Sequence, residues 1–168
     1  MAFPDWAAGE TITAGKLNSR ERHFARVDSE ETVNASTTLT ASTQLTFEAE
    51  ADAIYELLVS LRYSTPDAAD FKWDYSVPSG ATMTRFPIAA DLTSSDRENS
   101  NVRLLTAAES TAAQAGGDAG NILLLREHAW LETGGTSGTV SLRFAQVVST
   151  GSDTILRSFS FMTWQRVS

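Results

Sequence analysis

The feature of this sequence that most constrains its fold is a pair of period-two patterns between Ala53 and Ala81. In the first pattern every second residue is large and apolar: Tyr55, Leu57, Val59, Leu61 and Tyr63. In the second pattern the corresponding residues are Phe71, Trp73, Tyr75 and Val77. Such alternation is typical of β-strands with one buried face, although Ile54 and Leu58 make the other face of the first strand partly apolar. The stretch therefore predicts two strands joined by a turn at residues 64–70, which contain a proline and two aspartates.

The chain after Phe24 also has the composition of β-strands separated by turns. Glycine-rich segments separate short apolar stretches, and none of these stretches has the helical period. Further strands are predicted at residues 33–40, 44–50, 102–106, 122–131, 140–148 and 155–167. Residues 81–88 are apolar around a break at Pro87, and residues 107–120 predict a loop or a short helix. This arrangement predicts an all-β fold, an antiparallel jelly-roll-like sandwich.

Several predictions concern which apolar residues are buried. The run ILLL at residues 122–125 is apolar on both faces, which indicates that both faces are covered. Either a subunit interface or a position at the centre of the core would supply that cover. In the strand at 140–148, the residues predicted to face inward are Val140, Leu142, Phe144 and Val148. Trp73 and Trp130 are predicted to be core residues rather than exposed rings that stack on sugars.

The charge of the chain disfavours nucleic acid as a partner. Thirteen lysines and arginines stand against twenty-one acidic residues, for a net charge of −8, and an acidic protein repels phosphate backbones. Four basic residues cluster between Lys16 and Arg26, with one acid among them. This cluster is either a solvated helix face or an arm that docks on an acidic neighbour. No apolar run approaches the roughly 20 residues of a membrane helix, so no membrane insertion is predicted.

The first residues, MAFPDWAAGETI, have no period and carry aromatic side chains at Phe3 and Trp6. A peptide of this kind packs either on its own domain or on a partner, and its length favours a partner. Thr13 stands at an N-cap position, and the residues after it, 14–24, predict a short helix. The predicted organisation is an N-terminal anchoring arm with a short helix at residues 1–26 and a β-sandwich domain at residues 27–168.

The sequence offers little material for catalysis or for a cofactor. It has no cysteine and two histidines, His23 and His128, which are far apart in the chain. A hydrolytic triad needs a base within hydrogen-bond reach of a nucleophile and an orienting acid, and no motif for such a triad is present. His128 is predicted to be structural and His23 to be solvated. Closely spaced metal ligands are lacking as well, so we expect no enzymatic activity, no metal site and no cofactor.

Two parts of the sequence resemble a known family. The text F-P-x-W-x-x-G-E-x-I-T-A-x-K-L-N, from Phe3 to Asn18, is similar to the opening of many bacteriophage virion proteins that are often called minor tail proteins, especially in phages of actinobacteria. The remainder resembles the small β domain that follows this opening. Its matching segments are STTLTASTQLTF, AIYELLVSLRYSTPDAADFKWDYSVPSGAT, GTVSLRFAQVVS and the last strand with Trp164, Arg166 and Val167.

The resemblance implies a virion component with a jelly-roll-like domain, a homotrimeric state and an anchoring arm bound to the major capsid protein or another virion protein. The anchoring residues would be Phe3, Trp6, Ile12, Leu17, Arg20, Arg22 and Phe24. Tail fibres generally place a shaft between anchor and head, whereas only residues 20–33 separate them in this chain. A capsid decoration or minor capsid protein that stabilises the shell is therefore expected. The alternative is a minor tail or tail-fibre protein that binds a host receptor or carbohydrate through the loops at 91–101 and 107–120.

Overall fold

The computed structural model describes residues 8–9, 11, 13, 21–92, 102–104, 107–108, 111–118 and 120–168. Within these ranges thirteen strands form two antiparallel sheets, one of nine strands and one of four. The strands are β1 (His23–Arg26), β2 (Glu31–Val33), β3 (Thr40–Ala49), β4 (Ile54–Ser64), β5 (Phe71–Ser76), β6 (Thr82–Ala90), β7 (Val102–Leu104), β8 (Ala107–Ala108), β9 (Ala113–Ala115), β10 (Leu123–Glu132), β11 (Gly138–Gln146), β12 (Thr154–Leu156) and β13 (Phe161–Arg166). The described part of the chain contains no helix with the length and apolar character of a membrane span.

The order of the strands in the two sheets is that of a jelly roll. The eight principal strands, in chain order, are β1, β3, β4, β5, β9, β10, β11 and β13. The first, eighth, third and sixth of them are neighbours in the larger sheet, and the second, seventh, fourth and fifth form the smaller sheet. Strand β6 extends the larger sheet beyond β10 and carries β7 and β8 on its far side. The predicted antiparallel jelly-roll-like sandwich is confirmed, whereas the homotrimer stays a prediction.

The two period-two patterns form β4 and β5, as predicted. Their apolar residues are buried between the sheets: Tyr55, Leu57, Val59, Leu61, Tyr63, Phe71, Trp73 and Tyr75. The two strands do not pair with each other, because β4 lies between β13 and β10 whereas β5 lies between β11 and β9. The turn at residues 64–70 therefore carries the chain from one sheet to the other, and within it the Ala69 N–H donates to the carbonyl oxygen of Pro66 at 2.9 Å.

The prediction of a helix at residues 14–24 is wrong for residues 21–24, the part of that range that the structure describes. Glu21 and Arg22 are in no regular element, and the next four residues form β1, which pairs with β13. The pairing is reinforced by the ring of Phe24, which stacks on the ring of Phe161 with their centroids 5.6 Å apart. Residues 14–20 lie outside the described residues. Residues 23–26, which the sequence pattern assigned to the arm, are thus part of the larger sheet.

The other strand predictions hold with shifted ends, apart from five local differences. The single strand predicted at 155–167 is two strands, β12 and β13, because a turn at residues 157–160, in which the Ser160 N–H donates to the carbonyl oxygen of Arg157 at 3.2 Å, separates them. The strand predicted at 33–40 is in strand conformation only at its first and last residues, which belong to β2 and β3. The segment 107–120 contains β8 and β9 rather than a loop or helix, because its alanines pair with β6 and β5. Pro87 does not break β6, and it lies between the described residues that pair with β7 and those that pair with β8. Val148 is exposed because it lies beyond the end of β11.

An ion pair lies in the interior between the two sheets. The side chains of Arg85 in β6 and Glu127 in β10 have no exposed surface, and Arg85 Nε donates to Glu127 Oε1 at 2.9 Å. The second carboxylate oxygen, Oε2, accepts from Arg85 Nη2 at 2.9 Å and from Trp73 Nε1 at 2.6 Å. Arg85 Nη1 also donates to the carbonyl oxygen of Thr111 at 3.0 Å. Burying a charge is costly unless it is paired and hydrogen-bonded, and this network satisfies that condition while joining the larger sheet to β5 of the smaller one.

Candidate interaction surface

The larger sheet has an apolar surface on the side that points away from the core. Side chains alternate across a strand, so the even-numbered residues of β4, β6 and β10 face outward while their odd-numbered neighbours are mostly buried. We call this surface the outer face. Its exposed large apolar residues are Phe24, Leu58, Phe86, Ile88, Leu124 and Trp130, each 40–57% exposed. Single exposed apolar residues are ordinary, but a contiguous group on one face marks an interaction site.

Strand pairing places the residues of the outer face side by side. One row across β1, β13, β4, β10 and β6 consists of Phe24, Thr163, Leu58, His128 and Phe86. The next row across the same strands consists of Arg26, Phe161, Ser60, Arg126 and Ile88. Leu124 lies opposite Arg62 one row further, and Trp130 lies opposite Glu56 on the other side. The apolar residues of the outer face are therefore spread over five strands, with Thr163, Ser60, Arg126 and His128 between them.

An open groove of about 570 Å³ lies on the outer face. Its apolar lining includes Leu58, Phe86, Ile88 and Phe161. Its polar lining includes Arg126 and His128 of β10, the strand between β4 and β6, together with Arg22, Ser60 and Thr163. The volume falls within the roughly 300–1,000 Å³ of typical ligand sites. The groove is thus large enough to accept side chains of a binding partner.

Charged groups at one edge of the groove are bonded to one another. Arg22 Nη2 donates to Glu56 Oε2 at 2.7 Å, and His128 Nε2 lies 3.1 Å from Glu56 Oε1. Arg22 Nη1 also donates to Thr163 Oγ1 at 3.2 Å. The hydrogen bond from Arg22 lowers the pKa of the Glu56 carboxyl, against a smaller opposing effect of burial, and the charges of Arg22 and His128 lower it further. Glu56 is therefore ionised, and its carboxylate is hydrogen-bonded to two side chains of its own chain, Arg22 and His128.

Arg126 differs from the other arginines of the outer face. The others are bonded within the chain: Arg22 to Glu56, Arg26 to Asp28 and Arg62 to the carbonyl oxygen of Ser158. Arg126 has no hydrogen-bond or ion-pair partner among the described residues, and it lies between Ser60 and Ile88 in the middle of the sheet. A guanidinium group presents several donors in a planar fork that matches a carboxylate. Its chemistry suits a carboxylate from outside the chain.

Phe159 holds an exposed ring at the edge of the outer face. It is 61% exposed, and its backbone has a φ of 65°, a left-handed conformation that is strained for a bulky residue. The conformation is held by its N–H, which donates to the carbonyl oxygen of Val27 at 2.9 Å. The guanidinium carbons of Arg26 and Arg62 lie 5.7 and 5.8 Å from the ring centroid. Backbone strain that persists in a fold is a reason to look for a function of the residue.

The structure describes two of the seven predicted anchoring residues. Arg22 and Phe24 both lie on the outer face, where Arg22 is bonded to Glu56 of its own domain. The other predicted anchors lie outside the described residues: Phe3, Trp6, Ile12, Leu17 and Arg20. Of the loops predicted as a receptor-binding rim, only residues 91–92, 107–108, 111–118 and 120 are described.

The prediction that Trp130 is a core residue is wrong, whereas Trp73 is buried as predicted. Trp130 is 41% exposed because it has the outward phase of β10. In the ILLL run, Leu125 is buried and Leu124 is half exposed on the outer face. Strand β10 is therefore a central strand whose inner face lies in the core and whose outer face is not covered by the described chain.

Both histidines make contacts within the domain. His128 is bonded to Glu56, and the ring of His23 stacks on that of Trp164 with their centroids 5.5 Å apart. Among the described residues, no three His, Asp or Glu side chains are grouped closely enough to hold a metal ion. The chemistry that the outer face offers is binding: it can bury apolar side chains and pair a carboxylate.

Comparisons with known proteins leave the chain unassigned. No protein-family model matches it, and no curated protein matches it. Two solved structures align with it, from infectious bursal disease virus strains Gx and Gt, each at 9% identity and with TM-scores of 0.22 and 0.20. The alignments cover 87% and 88% of this chain but only 40% and 36% of the viral chains. At TM-scores this low the likeness supports no conclusion about fold or function.

Proposed function

We propose that the chain is a non-enzymatic structural protein of a bacteriophage virion, a capsid decoration or minor capsid protein that binds the shell through its N-terminal segment and stabilises it. The resemblance of residues 3–18 to the opening of phage virion proteins motivates the proposal. The observation that supports it most is the place where the folded domain begins. The chain enters the larger sheet at His23, and Arg22 is already bonded to Glu56.

The text that resembles the phage opening ends at Asn18 and β1 begins at His23, and the four residues between them are too few for a shaft between the proposed anchor and the head. Strand β1 pairs with β13 over four residues, so the sheet resists a force applied to the N-terminal segment. A tail fibre needs reach, whereas a decoration protein lies against the shell. The net charge of −8 also opposes contact with packaged DNA, which favours the outer surface of the capsid.

Quantitative mass spectrometry of purified virions is expected to find this chain in a copy number comparable with that of the major capsid protein. A decoration protein occupies sites that repeat over the whole capsid, whereas a minor tail or tail-fibre protein is present in few copies. A handful of copies per particle would favour the alternative of a tail protein that binds a host receptor. Absence of the chain from purified virions would contradict both assignments.

Removing residues 1–20 is expected to abolish incorporation into virions and to leave the domain folded. The cut ends before Glu21 because Arg22 and β1 belong to the domain. The removed segment carries the predicted apolar anchors, whose burial contributes about 25 cal/mol per Å², less the cost of ordering the segment. Incorporation is measured by immunoblotting of virions assembled with the shortened chain, and folding by its urea-unfolding midpoint.

The matched control for this shortened chain is Val148→Ser, which changes an exposed apolar residue outside the N-terminal segment. It is expected to be incorporated normally. If the shortened chain folds and is still incorporated, the N-terminal segment is not the anchor.

A further inference from the structure

We propose that the groove of the outer face binds a segment of another protein in which apolar side chains flank a carboxylate. The carboxylate pairs with Arg126, and the apolar side chains pack against Leu58, Phe86 and Ile88, which line the groove with Arg126. This contact does not use residues 1–20 and does not depend on whether the chain belongs to a virion.

The charge of the outer face identifies the chemistry of the occupant. The chain as a whole has a net charge of −8, but the outer face carries four arginines, one of them just before β1, against two outward-facing acids on its strands, Glu56 and Glu132. Three of those arginines are bonded within the chain, and Arg126 is the one without a partner among the described residues. An acidic group surrounded by apolar side chains therefore complements the groove in both charge and polarity.

Other classes of occupant fit the same surface less well. In a symmetric dimer the outer faces of two copies would pack against each other, which would bring arginines together while Glu56 is already bonded to Arg22 and His128. Nucleic acids and anionic membrane surfaces are repelled by the acidic chain. Neither of them would use the apolar walls of a groove in the way that a protein segment does.

Phe159 offers a partner a second apolar contact on the outer face, outside the lining of the groove. Its exposed ring lies beside Arg26 and Arg62, and Arg62 is next to Ser60 on the outward side of β4. The strained φ of 65° would be relieved by glycine, which adopts this conformation without a steric penalty. We therefore expect Phe159→Gly to weaken partner binding and not to lower stability. A residue with only a structural role would not separate the two measurements in this way.

The test uses random 12-residue peptides, each displayed on its own mRNA and selected on the immobilised full chain. Enriched peptides are expected to contain Asp or Glu flanked by apolar residues. Their affinity, measured by fluorescence polarisation, is expected to fall at least tenfold with Arg126→Gln and with Ile88→Ser, which is about 1.4 kcal/mol or more. Replacing the peptide carboxylate with an amide should weaken binding to the wild type but not weaken it further with Arg126→Gln, because the two groups then no longer interact.

The matched control is Lys72→Gln, which removes another cation without a partner among the described residues, on β5 of the smaller sheet. It is expected to bind the selected peptides as the wild type does. The proposal is overturned if no enriched peptide depends on Arg126 and Ile88, or if the enriched peptides lack a carboxylate. It is also overturned if a synthetic peptide of residues 1–20 binds with the same dependence, or if the chain self-associates through these residues, because the occupant is then a segment or copy of this chain.

Discussion

Replacing Glu127 with glutamine is expected to lower the free energy of unfolding by about 3–5 kcal/mol. The carboxylate of Glu127 accepts hydrogen bonds from Arg85 through both oxygens and from Trp73 Nε1. A glutamine amide has one acceptor oxygen, and its NH₂ group would point a donor at one of these donors. The positive charge of Arg85, which has no exposed surface, would then lose its bonded counter-charge, and Asp74, the other acid that acts on it, is itself bonded to Arg143. Removing one partner of a buried ion pair lowers the free energy of unfolding strongly. Replacing the whole pair with apolar residues of the same size has a much smaller effect.

Urea unfolding followed by circular dichroism measures this loss, and two further variants identify its cause. Asp28→Asn breaks an exposed pair with Arg26 and is expected to change the free energy of unfolding by no more than about 1 kcal/mol. The double variant Arg85→Met with Glu127→Gln removes both charges and is expected to recover part of the loss. A loss below about 1 kcal/mol for Glu127→Gln alone would mean that Arg85 finds another counter-charge or water.

The buried pair also shows why some of this fold could not be predicted from the sequence. Charged residues are almost never fully buried unless they are paired, and the partner of Arg85 is 42 positions away. Nothing close to Arg85 in the chain indicates that Glu127 will be opposite it. The alternation in β4 and β5, by contrast, is a local property, so it predicts both strands and nearly all of their buried residues. Val77 is the exception, because it is half-buried beyond the end of β5 at Ser76.

Local sequence patterns could not predict which strands share a sheet, because the pairing partners are also distant in sequence. Strands β1 and β13 come from opposite ends of the described chain and pair with each other, and that pairing turned the predicted end of a helix into an edge strand. Strands β4 and β5 are neighbours in sequence but belong to different sheets. A period-two pattern gives the buried face of a strand, but it does not identify the neighbours of that strand.

The sequence contained some of the features that indicate the outer face. Leu58 on the second face of β4 and the ILLL run in β10 both indicated an apolar surface beyond the core, and both contribute to it. Trp130 was assigned to the core from its residue type, although the buried Leu125, Ala129 and Leu131 give β10 a phase that turns Trp130 outward. Arg126 has the same outward phase, but its lack of a partner could be recognised only once the neighbouring strands were in place.

Gly117→Ala is expected to lower the free energy of unfolding by about 3 kcal/mol, in the upper part of the range for overpacking a well-packed site. A Cβ atom at this position would lie 2.3 Å from the carbonyl oxygen of Pro66 and 2.6 Å from its carbonyl carbon. Both are backbone atoms, so relief requires one of two chain segments to move. Movement would strain the bonds between these segments, in which the Gly117 N–H donates to Asp70 Oδ1 at 2.9 Å and the Asp118 N–H donates to the Thr65 carbonyl oxygen at 3.0 Å.

The sequence pattern predicts a loop or a short helix around Gly117, and the comparison with Gly135 tests whether close packing determines the effect of the Gly117→Ala substitution. A Cβ atom on Gly135 would meet nothing within 4 Å, so Gly135→Ala is expected to change the free energy of unfolding by no more than about 0.5 kcal/mol. Both variants lose the same backbone entropy in the unfolded chain, and the difference between them, measured by urea unfolding, therefore reports the clash with Pro66. Equal stabilities for the two variants would show that the segment at 116–118 moves away from the turn at 64–70 without cost. The crossing of the chain from β4 to β5 would then not depend on that contact.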